Sequence, residues 1–277
     1  MQFVGIYGTS NARPIDYYAR KAFKVHHTWD HPCCTYKRDA NNLKENISKI
    51  INIEIASYPG LNLRNIRKFQ GDRDKSKQCM AGPYEDLTVT EFLSTICVKP
   101  DFSGIIASIM LCNDEKLISR HDSPEAKVKS YFEKLEDIYS HVQGFDNVNM
   151  IILSTALYRQ ADFYGPASYR VKKVAFNNAL LRVGNCPDTR LTVNNRHINI
   201  SIIDMDKVVP YHQGKNDMFY CEKERAKRKI HVRGEYMENY LLELKHKVQK
   251  YNQKCRRAKG STRVINPFYM FCKIDIS

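Results

Sequence analysis

Gly104-Ile105-Ile106-Ala107-Ser108-Ile109-Met110-Leu111 is the stretch whose reading decides the fold. A strand with one wet face alternates apolar and polar residues. An unbroken apolar run is what a parallel strand carries when both of its faces are covered. Working outward, the pattern recurs. Phe3 to Tyr7 (FVGIY) is short and β-rich and ends at Gly8. Ile50 to Ser57 (IINIEIAS) is bounded by Pro59-Gly60. Asn149 to Ser154 (NMIILS) and Ile198 to Asp204 (INISIID) complete the set. Helical spacing fills the intervals. Ser123-Pro124 is a cap followed by proline at the first helical position, and Val128, Phe132, Leu135, Tyr139 and Val142 recur behind it. Tyr169 to Val183 places Val171, Val174, Ala175, Asn178 and Leu181 on one stripe. Glu235 to Lys250 carries Met237, Leu241, Leu244 and Val248. Five apolar strands alternating with helices predict a three-layer α/β/α domain around a parallel sheet of about five strands.

The 277 residues are enough for one large domain or two small ones, with a sizeable core. Hydrophobic residues at 43% and charged residues at 27% exclude a disordered or collagen-like chain. The longest nearly apolar run, Phe102 to Cys112, is too short to span a bilayer. The amino terminus has neither the basic nor the apolar region of a signal peptide. Nine cysteines without a CxxC pair read as reduced thiols. An intracellular protein, cytoplasmic or nuclear, is expected. The net charge is +14. It is uneven: Lys223 to Arg263 holds fourteen Lys/Arg against four Glu. Such a field attracts polyanions.

Parallel sheets bind ligands beyond the carboxyl ends of their strands. Gly8-Thr9-Ser10-Asn11 follows the first strand, Tyr58-Pro59-Gly60-Leu61 the second, and Leu111-Cys112-Asn113-Asp114 the third. Ile230-His231-Val232-Arg233-Gly234 precedes the last helix. A hydroxyl, a glycine turn, an amide and an imidazole are the inventory of acyl transfer. In this order and strand context the chain resembles the SGNH (GDSL-like) hydrolases, whose motifs are Gly-Asp-Ser after the first strand, a glycine after the second, Gly-x-Asn-Asp after the third, and Asp-x-x-His before the closing helix. The likeness runs over roughly residues 3–250. It implies a flavodoxin-like sheet in residues 1–250 and a serine-dependent ester hydrolase of the esterase or acetylesterase type, without metal or organic cofactor. Ser10 is then the nucleophile and His231 its base. The backbone N–H groups of Ser10 and Gly60 and the side-chain amide of Asn113 form the oxyanion hole, and a small acyl ester is the substrate. Three positions depart from the motifs: Thr9 replaces Asp, Cys112 replaces Gly, and Arg228 stands where the family carries the Asp that orients the histidine. A cation at 228 cannot do that work, which leaves Glu222, Glu224, a backbone carbonyl or a two-residue dyad. Asp114 reads as a brace for its loop. Specificity falls to the segments Ala12–Lys49 and Arg159–Ser168.

The alternative is an SGNH-fold binding or structural protein that has lost activity, of viral or mobile-element type, touching nucleic acid through its basic carboxyl-terminal surface. Lys245, Lys247, Lys250, Lys254, Arg256 and Arg257 fall within thirteen residues and are the anion-binding candidates. Residues 251–277 are expected to form a basic extension. Its apolar segment Val264 to Phe271 would pack on the body or join a second copy. His26 to Cys34 gathers three His, two Cys and an Asp, with His27-x₃-His31 at zinc spacing. Without a second ligand pair it reads as a structural or lid loop.

Overall fold

A computed structural model describes residues 2–9, 12, 15, 51–58, 61–63, 84, 87–110, 118, 122–157, 167–186, 189–209 and 234–260. Among them the chain is a mixed α/β fold with a mostly parallel six-stranded sheet and five α-helices. The elements run β1 (Phe3–Gly8), β2 (Ile53–Ser57), α1 (Val89–Cys97), β3 (Phe102–Ile109), α2 (Pro124–Tyr139), β4 (Met150–Ser154), α3 (Ala167–Asn185), β5 (Arg190–Val193), β6 (Arg196–Ile203), α4 (Met205–Val208) and α5 (Gly234–Gly260). A 3₁₀ turn, Phe145–Asn147, leads into β4.

The strand order is β2-β1-β3-β4-β6-β5. All neighbours pair in parallel except β5, which lies antiparallel to β6 at the edge. The five expected strands are present, and β5 is an addition. It forms a hairpin with β6 through Asn194-Asn195, both at positive φ, the backbone that a two-residue turn between antiparallel strands requires.

Successive side chains along each strand feed different apolar clusters, as the two-residue period demands. Phe3 and Tyr7 of β1, Phe102 and Ile106 of β3, and Ile151 and Leu153 of β4 join one cluster with residues of α1, α2 and α3. Val4 and Ile6, Ile105 and Ala107, and Met150 and Ile152 join the other with residues of α4 and α5. This explains why the central strands read as continuous apolar runs. Each residue of β1 is buried, whichever way it points.

Local rules account for the helices. Thr88 caps α1: its hydroxyl accepts from the Glu91 N–H while the Glu91 carboxylate accepts from the Thr88 N–H, a reciprocal capping box. Ser123 caps α2, with Pro124 behind it.

One expectation on the helices needs correction. The stripe predicted for α3 does not face the core. Val171 is 62% exposed and Val174 41%, while Lys173, Phe176, Asn177, Ala179 and Leu180 are buried. The buried face is partly polar because its side chains bind the chain that follows β4. α5 runs unbroken to Gly260, across residue 250. Residues 261–277, including the Val264 to Phe271 segment, lie outside the described residues. No helix among the described residues is long and apolar enough to cross a membrane.

Candidate functional site

The sheet grows from β1 outward to β2 and then in the other direction through β3, β4 and β6. The order reverses between β1 and β3, and in open parallel sheets such a switch point opens the crevice where ligands bind. The carboxyl ends of these two strands are locked together. Thr9 is fully buried, and its N–H donates to the Ile109 carbonyl at 3.0 Å. The Tyr58 N–H, beyond β2, donates to the Gly8 carbonyl at 2.8 Å. Gly8 is required by close approach. A Cβ there would stand 2.8 Å from the Ile109 carbonyl oxygen and 2.8 Å from the Ala12 Cβ, closer than any real contact.

Ser10, Gly60, Asn113 and His231 all lie outside the described residues, as do Arg228, Glu222, Glu224 and the His26 to Cys34 cluster. Their described neighbours can be given. The Ala12 N–H donates to the Thr9 carbonyl at 2.9 Å, and the Leu61 N–H donates to the Tyr58 carbonyl at 3.1 Å. Met110, fully buried, is the last described residue beyond β3 before Asn113. The Asn239 amide of α5 donates to the Val208 carbonyl of α4, which follows β6 directly. That contact holds the first half of α5 at the carboxyl end of the sheet.

Buried polar groups hold the same end. Asn177 of α3 accepts from the Ala156 N–H and donates to the Ala156 carbonyl, each at 2.9 Å. Lys173, buried beside it, donates to the Leu157 carbonyl. Lys127 of α2 donates to the Ile118 carbonyl at 2.8 Å, and burial presses its pKa down. The Thr155 hydroxyl accepts from the Met205 N–H at 2.8 Å. The Ser154 hydroxyl donates to the Ser108 carbonyl. Asp206, half-buried beside Asp204, has its pKa raised to about 6 by burial first and the neighbouring charge second. Tyr240 of α5 is fully buried, and its hydroxyl has no partner among the described residues. Sequence reasoning missed Lys127 and Lys173, because a lysine at helical spacing reads as a solvent residue.

The six basic candidates of α5 divide. Lys247, Lys250 and Lys254 line a cleft of about 440 Å³, together with Arg190 of β5 and Tyr251. Lys245, Arg256 and Arg257 do not line it. The cleft is bounded by Met150, by Asn199 to Ser201 of β6 and by the end of α3 at Gly184 to Cys186, so it sits toward the amino end of β4. The Tyr251 hydroxyl bonds Asn199 and Cys255, and burial pushes its pKa up to about 12. Arg190 was not among the sequence candidates. It stands far along the chain from the lysines, and only the β5–β6 hairpin brings it to them.

No protein-family model, no curated protein and no solved structure matches the chain.

Proposed function

We propose that the chain is a serine-dependent ester hydrolase with a three-layer α/β/α body of the SGNH type. The observation that carries this reading is the bracketing of its key positions at the switch point. Thr9 and Ala12, joined by a hydrogen bond, flank Ser10, and Tyr58 and Leu61, joined likewise, flank Gly60. The strands that lead into Ser10, Gly60 and Asn113 are the adjacent strands β1, β2 and β3. The helix that follows His231 has its first half tied to the carboxyl end of β6 through Asn239 and Val208. Apolar clusters joined to different sets of helices support the layered body.

In this reading Ser10 Oγ attacks the ester carbonyl carbon while His231 takes its proton. His231 then protonates the departing alkoxide, leaving an acyl group on Ser10. A water deprotonated by His231 attacks that acyl carbon, and the proton returns to Ser10 as the acid leaves. The N–H groups of Ser10 and Gly60 and the amide of Asn113 stabilise the oxyanion of both tetrahedral intermediates. Each such donor is worth about 10²–10³ in turnover. Arg228 in place of the family's Asp leaves the orientation of His231 to another acceptor, with Glu222 and Glu224 the candidates on the amino-terminal side of Arg228.

Covalent labelling by a fluorophosphonate probe tests the reading. The parent protein should label, and Ser10→Ala and His231→Ala should each abolish labelling. A folded parent that resists the probe, or a Ser10→Ala variant that labels like the parent, overturns it.

A further inference from the structure

The cleft on α5 belongs to none of this chemistry. Four cations line it, Arg190, Lys247, Lys250 and Lys254, and no carboxylate does. The three lysines stand at i, i+3 and i+7 and so share one face of the helix. Like charges at these spacings repel, and among the described residues none of the three forms an ion pair. Lys247 is half-buried; burial lowers its pKa, and Lys250 and Lys207 lower it further against Glu243 and Asp204. Concentrated positive charge in a concave site is the arrangement that an anion completes. Asn199, Ser201 and Asn185 add neutral hydrogen-bonding groups to the walls, the kind that phosphate and sugar oxygens take.

Two features choose among polyanions. The positive charge continues past the cleft to Arg256 and Arg257, both exposed on the next turn of α5, so the ligand is extended rather than a single small anion. The exposed large apolar side chains of the described residues are Val98, Val171, Val174 and Leu242, and none lines the cleft. A surface that inserts into a bilayer presents apolar side chains to it, and this cleft does not.

We propose that this cleft binds the phosphate backbone of a nucleic acid, with Lys250 and Lys254 as contact residues. The inference goes beyond the hydrolase reading and does not rest on it.

Fluorescence anisotropy with a 5′-labelled oligothymidylate of about twenty nucleotides tests it on the full chain. Four phosphate contacts predict that log Kd rises with log salt at a slope of about 3. The double variant Lys250→Glu/Lys254→Glu should weaken binding at least tenfold at 100 mM salt and roughly halve that slope. Both side chains are exposed, so the fold should tolerate the change. Lys129→Glu/Lys134→Glu on α2 carries the same change of net charge and should move Kd by less than about twofold. The Ser10→Ala variant should bind like the parent, which separates this site from the hydrolase reading. Absence of binding by the parent would overturn the proposal. So would equal losses in the two double variants, or binding to phosphatidylserine vesicles that the oligonucleotide fails to displace.

Discussion

The carboxyl end of the sheet and the basic cleft treat polar groups in contrary ways. At the carboxyl end lysines and amides are drawn inside and satisfied: Lys127 on Ile118, Lys173 on Leu157, and Asn177 on both backbone groups of Ala156. In the cleft Lys250 and Lys254 stay exposed beside a half-buried Lys247, and no carboxylate lines it. The first arrangement spends polar side chains on fixing loops, because a buried group must be bonded or it costs the fold. The second leaves repulsion in place that a bound polyanion would relieve. A reaction site needs fixed geometry, whereas a polyanion site needs local charge. The difference teaches that function is marked here by how polar groups are satisfied, not by how many are present.

The strongest break in this comparison is at Asn177. In Asn177→Ala the Ala156 N–H and carbonyl both lose their partner in a buried setting. Each unsatisfied group costs about 1–3 kcal/mol, so a loss of about 2–6 kcal/mol is expected in urea unfolding. On the proposed hydrolase reading, esterase activity should fall with it at temperatures where the fold still holds, because the chain beyond β4 loses its anchor. A loss under about 0.5 kcal/mol, within the range of ordinary surface substitutions, would show that the carboxyl end is no more fixed than the cleft.

The same side of the molecule shows where the sequence was legible. The central strands announced themselves because a strand covered on both faces has no polar alternation to hide it. β5 did not, since Arg190 to Val193 is four residues at an edge with every second one exposed. Its signal was the Asn194-Asn195 pair, a hairpin turn that local rules can name. The start of α1 went unread too, although its capping box Thr88-x-x-Glu91 is a local signal. The face of α3 was not. Valines at helical spacing suggested a core stripe, and the helix instead buries Lys173 and Asn177. Their partners are backbone groups near Ala156 that no sequence pattern points to. For the candidate reaction site, strand ends and motif order were legible, while the placement of Arg190 beside Lys250 required the fold.

A pH series sharpens the comparison next. Asp206 titrates near 6 in the folded chain against an ordinary 3.8, because burial and Asp204 disfavour its charge. The folded state therefore holds the proton more tightly than the unfolded one. Its contribution to stability is complete below about pH 4, declines as the pH rises through 6, and is absent above. Asp206→Asn should flatten that decline and stabilise the protein by about 1–2 kcal/mol at pH 7. The check is the urea midpoint of both proteins at pH 4 and pH 7. A parent that grows more stable between those values, with the variant parallel to it, would mean that Asp206 is ionised without penalty.

The smallest effect is the most pointed, because it has the opposite sign to the first. Lys250 stands three residues after Lys247 and four before Lys254 on one face of α5. It lies ten residues from Gly260, too far for the helix dipole to favour a cation there. Glutamine has nearly the helix propensity of lysine, so Lys250→Gln removes two like-charge pairs and little else. The free protein should gain about 0.5 kcal/mol in low salt, and the gain should fade in 1 M salt, where charges are screened within about 3 Å. The same substitution should weaken oligonucleotide binding. Stability rising while affinity falls is the behaviour of a residue kept for a ligand. If Lys250→Gln destabilises the fold, and does so equally in high salt, the lysine serves the protein rather than a partner. The cleft would then obey the same rule as the carboxyl end of the sheet.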